Sequence, residues 1–309
     1  PNFEELKEII NIKDEIKPDL IVAIGGGCVI DYSKISSVFN ISKNFKNKLI
    51  NSDYERNKKT PLLAIPTTAG SGAEVTSNAV IYINNIKYSV EGPEVRPEYY
   101  ALLPKLLLSS TMKIDSSSGF DAISQAIESI LSKKSNTQSI NYASRALRIL
   151  FKNYTQFIQK KNISNSYKMA LGANLAGKAI NISKTTAPHA LSYPFTAHFN
   201  VPHGHAVSLS LNKFLKFNYN FKEKAESDFN LEKRYKLLFK LSNTRNIDQL
   251  DRFLIKIKQI AKLEQNFKKL GININKNYSL IIGGLNSQRL KNNPISVSKK
   301  DIKIILDKY

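Results

Sequence analysis

The feature that most constrains the fold of this chain is a short apolar run broken by three glycines. Leu20-Ile-Val-Ala-Ile24 is continuously apolar and rich in β-branched residues, the pattern of a strand buried on both faces. It stops at Gly25-Gly26-Gly27, and Val29 to Phe39 then shows helical periodicity. Strand, glycines and helix N-terminus together make a phosphate-binding arrangement: glycines let the backbone approach an anion, and the first free N–H groups of the helix point at it. The competing reading is a tight turn that needs glycine for positive φ. A second apolar strand, Leu62 to Ile65, opens into Pro66-Thr67-Thr68-Ala69-Gly70-Ser71-Gly72-Ala73-Glu74-Val75-Thr76. This loop is dense in hydroxyls and glycines and sits at the carboxyl end of a strand, where open α/β sheets place ligands.

Around these motifs, residues 3–16 carry apolar positions at helical spacing. Residues 40–60 read as a polar loop with room for a helical turn, and Ala79–Ile83 with Lys87–Val90 reads as a hairpin about Asn84-Asn85. From Ser109 onward the pattern becomes helix after helix. The expected division is therefore an α/β domain over 1–108 and a helical domain over 109–309, with the boundary near residues 104–114. Small residues at Ala170, Gly172, Ala173, Ala176 and Gly177 predict close helix contact. Residues 206–270 read as helices with solvated, Lys-rich faces. Leu280 to Ser287 reads as strand or loop, and a last helix from Ser298 to Leu306 follows the break at Asn292-Asn293-Pro294. There is no internal repeat and no long low-complexity linker.

The second strong signal is chemical. All four histidines, His189, His198, His203 and His205, lie within HALSYPFTAHFNVPHGH. Imidazole concentrated in this way points to metal ligation or proton transfer, against the alternative that single histidines cap or pack locally. Upstream, Asp121 and Gln125 are four residues apart on a helix otherwise made of Phe, Ile and Ala. They share one face, and an inward Asp is costly there unless a cation or hydrogen-bond donors satisfy it. The alternative for Asp121 is a helix N-cap after Ser116-Ser117-Ser118-Gly119.

Composition adds exclusions. The formal net charge is +21, from 46 Lys+Arg against 25 Asp+Glu. The lysines are scattered among Asn and Ile, as AT-rich coding also produces. No arginine-rich run, aromatic RNA-binding motif or zinc-finger spacing supports a nucleic-acid partner, so the charge leans only toward small anionic ligands. The single cysteine, Cys28, rules out an internal disulfide and fits a reducing compartment. No apolar run reaches the roughly 18 residues that span a bilayer, and no signal-peptide pattern opens the chain, so the expected location is cytoplasmic with no membrane partner. The chain opens on Pro1 rather than Met, as a piece of a longer protein would.

Taken together, IGGGCVIDYSK, PTTAGSGAEVTS, GFDAISQAIES, HALSYPF and VPHGHA resemble, in order and spacing, the iron-containing (group III) alcohol dehydrogenase family. The likeness runs from about residue 17 to 210, with a thinner echo at Asn292-Asn293-Pro294. It implies a Rossmann-like dinucleotide-binding α/β domain lacking its opening strands, followed by an all-α domain, a dehydroquinate synthase-like architecture with the site in the cleft. It further implies NAD or NADP and a divalent metal, Fe2+ or Zn2+, as cofactors, and a homo-oligomer, expected to be a dimer. Carried over by position, Gly25, Gly26 and Gly27 would hold the cofactor pyrophosphate and Asp31 would lie near the nicotinamide side of the cleft. Thr67, Thr68 and Ser71 would line the cofactor, and Lys87 would make a further cofactor contact. Asp121, His189 and His203 match three metal ligands.

Three departures stand out. Gln125 replaces a ligand histidine, and a neutral amide oxygen binds zinc or ferrous iron more weakly than imidazole does. Tyr193 stands where the family often has a histidine tied to substrate handling. The strand whose end separates NAD from NADP has no counterpart. Gln in the metal helix together with HALSYPF and PHGHA resembles the branch of phosphonate metabolism that reduces phosphonoacetaldehyde to 2-hydroxyethylphosphonate, a small anionic aldehyde. The proton relay is expected at His205 or Tyr193, Gln125 as a fourth ligand or the holder of a water, and His198 as a structural or phosphonate-facing residue. Alternatives are a short-chain or polyol dehydrogenase, a metal-dependent lyase of the same fold, and a degenerate non-catalytic chain.

Overall fold

A computed structural model describes residues 1–42, 44–51, 60–84 and 86–308. The expected loop of 40–60 therefore lies partly outside the described residues, as does Asn85 of the hairpin turn. The chain opens with α1 (Phe3–Ile16), capped by Asn2, whose side chain accepts from the Glu5 N–H, and ended by Lys17 in the left-handed region. Then follow β1 (Ile21–Gly25), α2 (Gly27–Val38), α3 (Phe45–Asn51) and β2 (Leu62–Pro66). β1 and β2 are parallel with Ile21 opposite Leu62 and Gly25 opposite Pro66, so both glycine loops leave the same edge of the sheet. A two-residue strand, β5 (Tyr99–Tyr100), pairs on the far side of β2. Between them, β3 (Asn78–Ile83) and β4 (Ile86–Glu91) form the expected antiparallel hairpin.

The structure corrects two strand expectations. β1 is not buried on both faces, because Val22 and Ile24 are 48% and 56% exposed whereas Ala23 is covered. Among the described residues β1 pairs only with β2, and the apolar run reports one covered face rather than two. The stretch Leu280 to Ser287 is neither strand nor loop throughout: α11 (Tyr278–Gly283) takes its first half, and α12 (Ser287–Lys291) begins at its end. Among the described residues no strand pairs with this segment; its backbone groups bond mostly within the helical turns, and the Asn286 N–H reaches the Ala190 carbonyl at 3.4 Å. Ile281 is fully buried, and Ile282 and Leu285 pack against the core partly buried.

The helical half is built on α4 (Met112–Leu131), α5 (Thr137–Gln159) and α6 (Ile163–Ser183), joined by α7 (Ala187–Phe199) and α8 (His203–Asn220). Beyond these come α9 (Leu231–Leu241), α10 (Ile247–Ile260) and α13 (Lys299–Lys308). α5 and α6 each begin with a reciprocal cap, Asn136 with Ser139 and Asn162 with Asn165. The Ser298 cap expected for the last helix is present, with Asp301 returning the bond. The small-residue stretch of α6 does bring partners close. A Cβ on Gly172 would lie 2.6 Å from Leu150, and one on Gly177 would lie 2.7 Å from the Gly72 Cα. The second contact seats the loop after β2 on the helical half. Gly72 itself has φ +61°, a conformation that favours glycine. No helix among the described residues is long and apolar enough to cross a membrane.

Candidate active site

α4 supplies the floor of the site. It starts at Met112 behind a Thr111 cap, so Asp121 lies in mid-helix and is not an N-cap. Asp121, Gln125 and Glu128 follow at i, i+4 and i+7, so one stripe of a largely buried helix carries three buried side chains with carboxyl or amide groups. α7 brings His189 down on this stripe from its first turn, and α8 begins at His203. The glycine between the last two histidines is needed there. A Cβ on Gly204 would sit 2.0 Å from the Ser117 carbonyl and 2.8 Å from the Asp121 Cβ, so only glycine lets α8 start against α4.

The ligand atoms of Asp121, His189 and His203 all lie within 4.8 Å of one another. His189 bridges two carboxylates, with Nε2 3.2 Å from Asp121 Oδ1 and Nδ1 2.5 Å from Glu128 Oε1. Gln125 donates Nε2–H to Asp121 Oδ2 at 3.1 Å and to the Ser71 carbonyl at 3.5 Å. These two acceptors fix the amide orientation and leave Gln125 Oε1 buried without a hydrogen-bond partner. One carboxylate, two imidazoles and an orphaned amide oxygen form a donor set that fits a divalent cation of intermediate hardness.

Electrostatics sort these groups. Burial opposes ionisation of Asp121, but the His189 hydrogen bond and nearby positive charge hold its pKa below the usual value. Burial would also depress His189, yet Glu128 and Asp121 raise it to about 10. His203 is pushed down to about 3 by burial, with Lys87 and His189 acting in the same direction against Asp121. Its neutral ring is the form that can ligate a metal.

The wall beyond His203 is Tyr193, one helical turn after His189, with ring centroids 6.0 Å apart. Lys87, from β4, places its ammonium 3.4 Å from the Tyr193 ring centroid. Arg289 of α12 hydrogen-bonds Tyr193 and also lies 3.3 Å from Glu91 of the hairpin. Burial alone would raise the Tyr193 pKa, but the two cations pull it below 10. Lys87 and Tyr193 open onto a cavity of about 450 Å³ that His198 and Asn286 also line, and no carboxylate lines it among the described residues.

At the carboxyl ends of β1 and β2, the two glycine loops meet. The Thr67 N–H donates to the Gly25 carbonyl at 2.9 Å, and a Cβ on Gly27 would sit 2.9 Å from Ser71 Oγ. Gly26 faces Thr68, with 3.6 Å from its virtual Cβ to the threonine side chain. None of the three glycines has positive φ. The tight-turn reading is therefore set aside: Gly25 and Gly27 serve close approach around the start of α2, where a Cβ would meet Val29 at 2.5 Å and Ser71 at 2.9 Å, whereas Gly26 has room for one. Asp31 has a different position from a surface contact. Its carboxylate accepts from the Val80 N–H at 3.0 Å and lies 4.0 Å from the buried Lys34 ammonium, which bonds Thr76 and the Asn78 carbonyl. Asp31 thus ties the hairpin that carries Lys87 to α2.

His205 is not brought to the cluster. Its Nε2 lies 2.6 Å from the Glu264 carbonyl, its backbone N–H donates to Ser117 Oγ, and it pins α8 to the 261–266 loop. The residues missed in the sequence are Glu128 and Arg289. The i, i+7 spacing from Asp121 could have flagged Glu128. Nothing local marks Arg289, which reaches Tyr193 only through the placement of α12.

The chain is similar to known proteins in sequence and in fold. Residues 1–104 match the family described as iron-containing alcohol dehydrogenase, and residues 116–309 match the C-terminal part of the Fe-containing alcohol dehydrogenase family. An alcohol dehydrogenase of Thermococcus barophilus is 31% identical over 71% of this chain and 59% of its own length. A phosphonoacetaldehyde reductase of Streptomyces viridochromogenes is 31% identical over 66% of this chain and 54% of its own, and a 4-hydroxybutyrate dehydrogenase of Clostridium kluyveri is 29% identical over 71% and 60%. The chain thus spans between 54% and 60% of the length of these relatives. In three dimensions, a sulfoacetaldehyde reductase from Bifidobacterium kashiwanohense, solved with NAD+, superposes with a TM-score of 0.89 at 24% identity, covering 99% of this chain and 80% of that one. With two family matches that cover most of its length and a metal-type cluster at the meeting of three helices, the chain belongs to the iron-containing alcohol dehydrogenase family.

Proposed function

We propose that this chain is the bulk of a metal-dependent, NAD(P)-linked alcohol dehydrogenase working as an aldehyde reductase, with phosphonoacetaldehyde as the preferred substrate. In this reading residues 1–108 hold the dinucleotide and 109–309 hold metal and substrate. The observation that carries it is the Asp121, His189, His203 cluster with the unpartnered Gln125 oxygen beside it. Bound there, a divalent cation supplies Lewis-acid polarisation of a carbonyl oxygen, and a nicotinamide supplies the hydride.

The chain's own residues do the rest. Gly25, Gly26 and Gly27, with Thr67, Thr68 and Ser71, leave room for a pyrophosphate at the start of α2, and Asp31 holds the hairpin in register against that helix. Asp121, His189 and His203, with Gln125 beside them, would hold the cation. Tyr193 Oη holds the proton that the product alkoxide needs, and Lys87 and Arg289 beside it make the hydroxyl a stronger acid than an ordinary phenol. His205, committed to the Glu264 carbonyl, is left with a positioning role for α8. Lys87 facing a cavity without carboxylates favours a substrate whose far end is an anion. Support for the acid-bearing class also comes from the relatives, whose names include phosphonoacetaldehyde and 4-hydroxybutyrate.

The test is NADH and NADPH oxidation with phosphonoacetaldehyde, sulfoacetaldehyde, succinic semialdehyde and propionaldehyde, with Fe2+ or Zn2+ supplied. The expected result is at least tenfold higher kcat/KM for phosphonoacetaldehyde than for propionaldehyde. Equal turnover of all four would remove the substrate assignment and keep the dehydrogenase, and no turnover of any would remove both.

A further inference from the structure

We infer that Glu128 is the residue that makes His189 a metal ligand, acting as a positioning residue through three hydrogen bonds. The inference rests on the proposed metal site and adds a group that the donor cluster itself does not contain. Glu128 is 1% exposed and sits one turn past Gln125 on the same stripe of α4. A carboxyl group so buried is tolerated only if its oxygens have hydrogen-bond partners, and here both do. Oε1 accepts from His189 Nδ1 at 2.5 Å, and Oε2 accepts from the Thr186 N–H at 2.7 Å and the Thr186 hydroxyl at 3.0 Å.

Each bond has a consequence for the ring. Thr186 is the residue just before α7, and its hydroxyl makes no cap bond to that helix. Glu128 accepts from it instead, so one carboxylate fixes where α7 starts and how His189, three residues later, is turned. The bond to Nδ1 decides which proton stays when the ring gives one up to a cation: with Nδ1–H held by Glu128, the nitrogen left to offer a lone pair is Nε2, the one 3.2 Å from Asp121. Rotation of the ring by half a turn would break the Glu128 bond and put carbon edges toward Asp121 and His203.

Glu128→Gln separates this role from simple packing. The side chain keeps its size, and its one oxygen must stay with the two Thr186 donors. Its NH2 group then faces Nδ1, two donors cannot meet, and the proton moves to Nε2, which loses its lone pair. Thr186→Val is the counterpart, since it loosens the start of α7 but leaves the Glu128–His189 bond in place.

The experiment titrates the folded chain with Co2+ alone and follows the visible absorption of the bound ion, with circular dichroism confirming that each variant is folded. The wild-type chain is expected to bind one Co2+. Glu128→Gln is expected to weaken binding by about 10- to 100-fold, the usual cost of losing an outer partner of a ligand histidine, and to change the visible spectrum. Glu128→Asp should recover part of the affinity, and Thr186→Val should stay within about threefold of wild type. Binding by Glu128→Gln within twofold of wild type would overturn the positioning role while leaving the metal site intact. A wild-type chain that binds no Co2+ would overturn the metal site and this inference with it.

Discussion

The two sides of the cleft make their chemistry from different materials. On the side proposed for the nucleotide the important groups are backbone: a run of three glycines, two of which have no room for a Cβ, two loops in contact, and the start of α2. On the metal side they are side chains held by other side chains, with His189 fixed between Asp121 and Glu128, and Gln125 fixed between Asp121 and the Ser71 carbonyl. The first side should therefore be damaged by adding atoms and the second by removing or exchanging them. The Gln125 bond to Ser71 is where the two meet, a side chain of the metal stripe reaching the backbone of the second glycine loop.

The sharpest way to break this contrast is at Asp121. Asp121→Ala removes the only carboxylate of the donor cluster and leaves His189 without its Nε2 partner. Metal affinity measured by chelator competition should fall by more than about 100-fold, with dinucleotide affinity unchanged. Gly204→Ala tests the one place where the metal side obeys the rule of the other. A methyl group 2.0 Å from the Ser117 carbonyl must displace α8 from α4, which should lower stability by about 1–3 kcal/mol in denaturant titration and loosen the metal through His203. Tyr193→Phe keeps the ring against His203 and removes only the hydroxyl. kcat should drop by about 100-fold, while metal affinity stays the same.

Gly27→Ala brings a Cβ within 2.9 Å of Ser71 Oγ, the mobile end of a short side chain. The fold should adapt, so the expected effect is a several-fold weaker dinucleotide and an unaltered metal site, read by fluorescence titration. If Gly27→Ala also lowered metal affinity, the two sides would be coupled through Ser71 and Gln125 more tightly than a single 3.5 Å bond suggests.

The smallest expected effect lies away from the site. Lys258, 3% exposed, bonds the Ser208 carbonyl and Gln265, and burial lowers its pKa from 10.5 to about 7. The unfolded chain therefore holds a proton here that the folded chain has released between about pH 7 and 10.5. Stability from this group rises as pH rises across that window, and below it the cost of burying the charge is felt in full. Unfolding midpoints measured from pH 7 to 9 should climb less in Lys258→Met than in the unmodified chain.

Much of this was legible in the sequence because the motifs depend on local order. Strand, glycines and helix follow one another in the chain, and so do the histidines, whose spacing already suggested ligation. Asp121 was visible as a polar residue on an apolar face. The unread parts depend on distance in sequence. Glu128 meets His189 across 61 residues, and Arg289 meets Tyr193 only because α12 folds back over α7. The burial of β1 was misjudged for a related reason: an apolar run shows that a strand has something to cover, but not how many layers lie over it. His205 shows the opposite error. Its position two residues from a candidate ligand suggests chemistry, while its Nε2 lies 2.6 Å from the Glu264 carbonyl, a contact that sequence spacing does not reveal.

The central claim is that a divalent metal held by Asp121, His189 and His203, with Gln125 beside them, carries the activity. Its most direct test is turnover against added metal: the chain is stripped with a chelator, and NADH or NADPH oxidation by phosphonoacetaldehyde is followed as Fe2+ or Zn2+ is returned. The account expects no turnover in the stripped protein and recovery that saturates at one equivalent of metal. Full turnover in the stripped protein would contradict it.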